Sequence, residues 1–542
     1  YDQKLRKSRG VYYTPEPVVK FIVRAVDDIL KTEFGLSKGL ADTSKTTIKR
    51  EIDGAKKVRG KAPQEEIEVH KVQILDPATG TGTFLAETIR IIYSNFKGQE
   101  GLWSSYVEEH LLPRMNGFEI LMASYTMCHL KLEMLLRQSG YKPKDENKPK
   151  RLKVFLTNSL EEAHPDTGTL FASWLSKEAT DANIVKLNTP VMCVIGNPPY
   201  ANFGQMNQGS WIKGLIEEYK KNLNEKKINL DDDYIKFIRY GQYFIDRNGE
   251  GILAYISNNS FLNGVTHRQM RKSLMNSFND IYILNLHGNS NIRETSPDGS
   301  IDNNVFDIKQ GVSINIFIKR KSKKQSVVHY FDLFGKREDK YSFLLNNYLK
   351  SVEWVELKTD EPYYFFENKD LSKSDSYNNG FEIKDLFVVS NSGIKTDRDG
   401  LFIDYDKVVL SKRIQALLSN EYDKAFIEEF NVRNSGSYKL LEVIKSKIFS
   451  QDYICPIQYR PFDNRWIYYD TQIISRPAEK AMKHLIHKNN LSLSLKRQSK
   501  HEFSYVFIHR SICESCLFES AYANNTEFPL YLYNQNDILN EN

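Results

Sequence analysis

One short stretch of the sequence joins a candidate buried strand to side chains suited to chemistry on an amino group. Residues 191–196 are an apolar run that ends in glycine, and Asn-Pro-Pro-Tyr follows at positions 197–200. The run predicts a short buried strand. Its two prolines cannot donate ladder hydrogen bonds, so they should end the strand in a stiff, extended loop. Loops at the carboxyl ends of strands are where α/β sheets bind their ligands.

The candidate catalytic residues are Asn197, Pro198, Pro199 and Tyr200. The Asn197 side chain and the Pro198 backbone each offer a carbonyl, so these two acceptors could hold both hydrogens of one amino group. Such a grip would make the nitrogen nucleophilic, because prearranged acceptors stabilise the developing positive charge. Tyr200 offers a flat face on which a planar base could stack. A turn that only ends a strand is the competing interpretation.

A second stretch, residues 72–85, predicts a loop that binds a nucleotide-type cofactor. A strand should end at Asp76, a turn should carry Gly80 and Gly82, and a helix should open near Thr83. The glycines allow the backbone to approach a ligand closely. Asp76 suits a cationic group, such as the amino group of a methionine moiety, better than a pyrophosphate. The alternative is a glycine-rich turn without a ligand, since neither a Walker motif nor a complete dinucleotide fingerprint is present.

The elements around these stretches predict an α/β layer. Strand candidates alternate with helices up to residue 318, which indicates a largely parallel sheet. Two more strand candidates end near Glu119 and Asn158, and an acid in such a position can accept hydrogen bonds from ribose hydroxyls. Thr14 is expected to cap a helix that starts at Pro15.

Length and composition indicate a multidomain protein of the cytoplasm. The 542 residues suggest about two to four domains, and 40% hydrophobic with 27% charged residues is ordinary for soluble globular proteins. No apolar stretch is long enough to span a bilayer, so no membrane partner is expected. Five scattered cysteines form no disulfide framework and fit a reducing compartment. The net charge of +6 permits nucleic-acid binding.

The alternation of strands and helices is predicted to stop near residue 330, after a basic run at 319–324. Residues 331–542 hold short aromatic segments between helical stretches, which predicts a separate mixed α+β domain. Its cations and aromatic residues suit contacts with base edges and phosphates, although such residues also commonly solvate a domain surface. The candidate DNA-binding residues are Lys321, Lys323, Lys324, Arg460, Arg465, Lys496 and Arg497.

The order of the motifs resembles that of the γ-class adenine-N6 DNA methyltransferases. The motifs are Tyr12-Tyr13-Thr14-Pro15, residues 76–82, Glu119, Asn158 and the 197–200 loop, followed by a large C-terminal domain. Residues 9–15 and 459–466 are similar to segments of the single-chain type ISP restriction–modification enzymes, and less closely of type IIG enzymes. Those enzymes also carry nuclease and, in type ISP, helicase segments. The resemblance therefore implies either part of a longer polypeptide or a stand-alone relative.

The resemblance implies an S-adenosylmethionine-dependent methyltransferase fold with a mostly parallel, Rossmann-like sheet over residues 1–330. A mixed α+β target recognition domain would follow over residues 331–542. Methyl transfer would go to N6 of a flipped-out adenine in double-stranded DNA of specific sequence, without a metal. Tyr200 and Phe306 would stack on that base. The implied cofactor-binding residues are Tyr13, Thr14, Asp76, Pro77, Ala78, Gly80, Gly82, Phe84, Glu119 and Asn158, the last standing where family members often have an acid.

Two alternatives to a DNA methyltransferase stay open. An amino methyltransferase that acts on RNA or on protein could use the same Asn-Pro-Pro-Tyr loop. A non-catalytic DNA-specificity subunit could retain a vestigial cofactor fold. Binding of S-adenosylmethionine would separate the enzymes from the non-catalytic subunit.

Overall fold

The computed structural model describes residues 13–51, 64–162, 173–200, 207–225, 230–322, 325–370, 372–373, 376–377, 379–436, 438–496, 506–518 and 524–533. The chain divides into two units, Tyr1–Asp370 and Leu371–Asn542. Each has a hydrophobic core of its own. None of the helices in the described ranges combines the length and apolar character needed to cross a bilayer.

A large twisted layer of strands dominates the first unit. A surface hairpin of β1 (Lys45–Glu51) and β2 (Gln64–His70) comes first. Nine strands drawn from the described residues then form one sheet in the order β5-β4-β3-β6-β7-β9-β8-β10-β11. They are β3 (Ile74–Asp76), β4 (Met115–Glu119), β5 (Lys153–Leu156), β6 (Cys193–Gly196), β7 (Gly251–Asn258), β8 (Asp280–His287), β9 (Val312–Lys319), β10 (Val327–Asp332) and β11 (Val355–Glu356).

The sheet is largely parallel, as the sequence predicts. Strands β3 to β7 run parallel to one another, while β9 lies antiparallel between β7 and β8. The neighbours of β3 are β4 on one side and β6 on the other, so the order of strands reverses at β3. A crevice at the carboxyl ends of the strands is expected at such a switch point. Asp76, Glu119 and Asn197 all lie at or directly beyond these ends.

Eight α-helices of six or more residues belong to the described part of the first unit. They are α1 (Glu16–Thr32), α2 (Thr83–Ser94), α3 (Met122–Gln138), α4 (Ser173–Asn188), α5 (Ser210–Lys220), α6 (Asp233–Asn248), α7 (Arg268–Ser277) and α8 (Arg337–Asn346), with the single turn Trp103–Tyr106 in addition. The apolar positions of α1 are buried, as their spacing predicts. The expected Thr14 cap is wrong: Pro15 holds the N-cap position, and no side chain caps this helix.

The first unit extends beyond the boundary predicted at residue 330. Strand β10 pairs in parallel with β8. The Arg24 guanidinium on α1 donates hydrogen bonds to the carbonyls of Leu344, Leu345 and Asn347 at the end of α8. The strand–helix alternation thus continues through α8, and the basic run lies in the connection between β9 and β10. The structural boundary therefore follows Asp370.

The second unit is a mixed α+β structure, in agreement with the sequence. Two four-stranded sheets have the orders β12-β19-β16-β17 and β13-β15-β14-β18. Their strands are β12 (Asn391–Ser392), β13 (Ile403–Asp404), β14 (Ile454–Arg460), β15 (Asp463–Tyr468), β16 (Ser492–Lys496), β17 (Val506–His509), β18 (Ile512–Cys513) and β19 (Asn525–Pro529). The helices are α9 (Lys407–Ser419), α10 (Lys424–Glu429) and the single turns Ile383–Leu386, Asp399–Phe402, Leu440–Val443 and Glu479–Met482.

Candidate active site

A cavity of about 1150 Å³, including its open mouth, lies at the carboxyl edge of the large sheet. Most of the residues predicted to bind the cofactor line it, and so do two residues of the Asn-Pro-Pro-Tyr loop. These lining residues are Tyr13, Thr14, Pro77, Ala78, Gly80, Phe84, Glu119, Asn158, Asn197 and Pro199. The fold thus brings the two motifs that sequence reasoning singled out to the wall of one cavity.

Asp76 ends β3 directly behind the cavity wall formed by Pro77 and Ala78. It is 1% exposed, and its Oδ1 accepts a hydrogen bond of 3.0 Å from the Ala78 N–H. Its Oδ2 has no hydrogen-bond partner among the described residues. The pKa of this carboxyl is raised to about 8, mainly by burial and also by the nearby Glu119, while the hydrogen bond from the Ala78 N–H lowers it. An unpaired buried oxygen of this kind suits a cationic ligand group.

The two glycines of the loop have different roles. Gly80 has a φ of +56°, and its N–H donates to Glu119 Oε2 at 2.8 Å. Gly82 has a φ of +78°, and a Cβ atom there would lie 2.6 Å from Cys128 Sγ on α3. Gly80 therefore shapes the cavity wall. Gly82, predicted as a cofactor residue, lies outside that wall and lets the start of α2 approach α3.

Replacing Gly82 with alanine is expected to destabilise the first unit by about 1–3 kcal/mol, since the new methyl group overlaps Cys128 and the backbone conformation is unfavourable for alanine. Thermal unfolding would measure this loss. Gly101→Ala is the matched control, because its Cβ would have no neighbour within 4 Å. The control should stay within about 0.5 kcal/mol of wild type. Equal stability of the two variants would contradict the packing role of Gly82.

Glu119 links the cofactor loop to the end of β4. Its Oε1 accepts from the Leu121 N–H and its Oε2 from the Gly80 N–H, both at 2.8 Å. Burial raises the pKa of its carboxyl group. Each carboxylate oxygen has a second lone pair, so both can still accept a hydrogen bond from a ligand hydroxyl.

Sequence reasoning missed a polar chain that crosses the cavity wall. Asn158 Nδ2 donates to Asn207 Oδ1 at 2.9 Å, and Asn207 Nδ2 donates to Asp233 Oδ2 at 3.1 Å. Burial raises the pKa of Asp233. Phe237, one turn further along α6, also lines the cavity. The available signal was an acid four residues before an aromatic on one helix face.

The catalytic loop is tied to the start of α1. Asn197 Nδ2 donates to Thr14 Oγ1 at 3.0 Å, which fixes the orientation of the amide. The Tyr200 hydroxyl donates to Asn197 Oδ1 at 2.7 Å, so the predicted acceptor is engaged within the loop itself. Pro198 is buried. Thr14, expected as a helix cap, therefore contacts Asn197 instead.

The fold brings together the two aromatic residues predicted to stack on a base. Tyr200 and Phe306 are 5% and 4% exposed, and their ring centroids lie 6.3 Å apart. The rings meet edge to face, at an interplanar angle of 83°. In this arrangement the two rings leave no parallel gap, so a base could stack between them only after one ring turns.

Comparison with known proteins separates the chain into two matched regions. Residues 117–292 match the family model of the Eco57I restriction-modification methylase. Residues 385–542 match the type ISP C-terminal specificity domain. The chain thus has a region similar to a restriction–modification methylase, followed by a region similar to the type ISP specificity domain. The first unit is called the methylase unit below, and the second the specificity unit.

Solved structures support this organisation. The DNA-bound, ATP-dependent type ISP restriction-modification enzyme LlaBIII is 26% identical over 98% of the chain, with a TM-score of 0.71. A nuclease-deletion mutant of the type ISP enzyme LlaGI, in complex with a DNA substrate mimic, is 22% identical over 96% of the chain, with a TM-score of 0.69. In a DrdV–DNA complex, the protein is 21% identical over 99% of the chain, with a TM-score of 0.68.

This chain spans only part of those relatives. It covers 34% of the LlaBIII chain, 42% of the LlaGI chain and 51% of the DrdV chain. None of the curated protein sequences gave a match. The identity to LlaGI and DrdV shows the fold alone.

Two of the arginines predicted to bind DNA, Arg460 and Arg465, are already paired within the specificity unit. Arg460 Nη1 lies 2.6 Å from Glu514 Oε2. Arg465 donates to Asp463, and its guanidinium lies 3.9 Å from the ring centroid of Tyr459. These contacts stiffen the β14–β15 hairpin, where Phe462 is 90% exposed with a φ of +62°.

The remaining DNA-binding candidates are less well defined. Lys321 is 76% exposed, and its Nζ lies 3.4 Å from Glu250 Oε1. Lys496 is the last residue of β16. Lys323, Lys324 and Arg497 lie outside the described residues. The DNA-binding role of all seven basic residues stays a prediction.

Proposed function

We propose that this protein transfers a methyl group from S-adenosylmethionine to the N6 amino group of a flipped-out adenine in double-stranded DNA. It would act in the cytoplasm at a specific sequence, as the modification and recognition part of a restriction–modification system. One observation carries the proposal. The Asn-Pro-Pro-Tyr loop lines the same cavity as the glycine-rich loop, whose Gly80 N–H donates to Glu119. An amino nucleophile and a cofactor bound at these loops would therefore meet.

The residues of the cavity fit S-adenosylmethionine. Asp76 would hold the ammonium end of the methionine moiety, since its Oδ2 is buried and without a partner among the described residues. Glu119 would accept from the ribose hydroxyls, and Asn158 would hydrogen-bond the adenine ring beside Phe237. The bound cofactor supplies an electrophilic methyl group on its sulfonium sulfur. The loop contains no Ser or Cys, so we propose direct transfer without a covalent intermediate. Because its two acceptors would activate the amino group, we propose no metal.

The catalytic loop would act through its hydrogen bonds. Thr14 holds the amide nitrogen of Asn197, which leaves Oδ1 as the acceptor for the target amino group. The Tyr200 hydroxyl now occupies one lone pair of that oxygen, and the second lone pair would accept from the target amino group. The carbonyl of Pro198 would accept the second hydrogen. A base inside a duplex cannot reach this loop, so the target adenine must be flipped out at a cost of a few kcal/mol.

The experiment that tests the proposal is incubation of genomic DNA with the protein and labelled S-adenosylmethionine, followed by sequencing for modified bases. N6-methyladenine at one recurring sequence is expected. Modification of RNA or protein but not DNA would favour the amino methyltransferase alternative. DNA binding without any methylation or cofactor binding would favour a non-catalytic specificity subunit.

Asp76 should give cofactor binding a proton signature. At pH 7 a carboxyl with a pKa near 8 is about nine-tenths protonated, so pairing with an ammonium group must expel a proton. Calorimetry in buffers of different ionisation enthalpy should show close to one proton released by wild type. The Asp76→Asn variant should release no proton from this position. It should bind S-adenosylmethionine on the order of tenfold or more weakly than wild type at pH 8. Equal proton release by both proteins would place the ammonium group elsewhere.

A further inference from the structure

The loop that carries Phe306 is held by one helix of the methylase unit. This loop joins β8 to β9, and α8 follows two strands later in the chain. Arg337 Nε donates to the Asn304 carbonyl at 2.7 Å, and Arg337 Nη2 to the Phe306 carbonyl at 2.9 Å. The Tyr341 hydroxyl donates to the Val305 carbonyl at 2.7 Å. Arg337 and Tyr341 are one turn apart on α8, so they present their donors from the same face.

A buried ion pair completes this grip. Lys340 Nζ lies 2.7 Å from Asp302 Oδ1, and both side chains are 0% exposed. The same ammonium group donates to the Asn303 carbonyl at 2.7 Å. Asp302 also accepts from the N–H groups of Gly288 and Gly335. Side chains of α8 therefore bind four consecutive carbonyls, those of residues 303–306.

We propose that α8 positions the Phe306 ring for the target base, with Arg337, Lys340 and Tyr341 as positioning residues. The inference rests on the proposed function, since it concerns the base-binding side of the same site. Loop carbonyls usually bond to water and leave a loop adaptable. Here four in succession are fixed, and the last belongs to the residue whose ring meets Tyr200. Phe306 is itself 4% exposed, so its ring has little freedom apart from the motion of this backbone.

The alternative role of α8 is general stabilisation of the fold. The two roles differ in how substitutions combine. A positioning residue acts through Phe306, so its loss should have no further effect once that ring is gone. A stabilising contact acts on the whole unit, and its effect should add to that of Phe306→Ala.

The test measures methylation of DNA that carries the sequence found modified by wild type. Arg337→Gln and Tyr341→Phe, alone and combined, are compared with Phe306→Ala and with the triple variant. Glu338→Gln, an exposed change on the same helix, is the matched control. Lys340 is left intact because its buried charge pair would confound folding. Tyr341→Phe removes a single oxygen, so it stays informative even if the Arg337 variant is less stable.

The expected result is a fall in kcat on the order of tenfold for the combined α8 variant, with unchanged S-adenosylmethionine affinity. The same substitutions should change kcat less than twofold in the Phe306→Ala background. DNA with 2-aminopurine at the target position should give the same altered emission with the α8 variant as with Phe306→Ala. The control should match wild type.

Additive losses, or an α8 variant as active as wild type, would overturn the positioning role while leaving the proposed function intact. An altered 2-aminopurine emission that differs between the α8 variant and Phe306→Ala would also overturn it. A wild-type protein that methylates no DNA would overturn the proposed function, and this inference would fall with it.

Discussion

Replacing Asn197 with alanine is expected to lower the rate of methyl transfer on the order of 100-fold or more. The amide oxygen is one of two acceptors that would stabilise positive charge on the target nitrogen, and alanine removes it. Affinity for S-adenosylmethionine should change little, because Asp76 and Glu119 lie on different strands from Asn197. Single-turnover methylation would measure the rate, and calorimetry would measure cofactor binding.

Tyr200→Phe is the matched control for this experiment. It removes the hydroxyl that occupies Asn197 Oδ1 but keeps the ring that would stack on the base. Its rate should therefore stay within a few-fold of wild type, since both the Asn197 acceptor and the stacking ring are kept. An Asn197→Ala variant that methylates at the wild-type rate would show that the catalytic assignment is wrong.

The sequence was sufficient to predict the main layout of the methylase unit. Apolar runs that end in Asp76, Glu119 and Gly196 are strands in the structure, and parallel pairing places their ends at one edge. These runs are short, buried and bounded by turn residues, so local pattern and fold agree. For the same reason, most of the predicted cofactor residues line one cavity.

Contacts between distant segments were beyond the reach of sequence patterns. The bond from Asn207 to Asp233 and the bond from Asn197 to Thr14 depend on how loops fold back over the sheet. Neither bond leaves a periodic pattern in the sequence from which it could be predicted. Arg460 was predicted as a DNA contact because cations and aromatic residues are combined in its segment. Its pairing with Glu514 appears only once β14 and β18 lie side by side.

The division of the chain after Asp370 differs from the predicted boundary at residue 330 for a related reason. A basic run usually marks a solvated segment, and here Lys319 and Arg320 form ion pairs with Asp246 and Asp280. These two residues thus lie within the fold of the first unit. Strand β10 pairs in parallel with β8 and so extends the same sheet beyond the basic run. Composition alone could not distinguish a connection inside a domain from a linker between domains.

Exchange of residues 371–542 for the matching segment of a relative such as LlaBIII is expected to change the methylated sequence completely, while adenine N6 stays the target atom. The specificity unit has its own core and matches a specificity domain from residue 385 onward. The methylase unit retains the whole cavity and the Phe306 loop. Sequencing of DNA after methylation by the chimera would identify the site. A chimera that keeps the original site would place recognition in the first 370 residues.

The same exchange made at residue 331 is the control that tests the position of the boundary between the two units along the chain. That junction would replace the last two residues of β10 and all of α8. Strand β10 pairs with β8, while α8 binds Arg24 of α1 and holds the Phe306 loop. At 26% identity to LlaBIII, several of these contacts should be mismatched. Because mismatched buried contacts cost about 1–3 kcal/mol each, the chimera joined at 331 should unfold at a lower temperature and methylate more slowly than the chimera joined at 371. Equal stability and rate for the two chimeras would show that residues 331–370 belong functionally with the specificity unit.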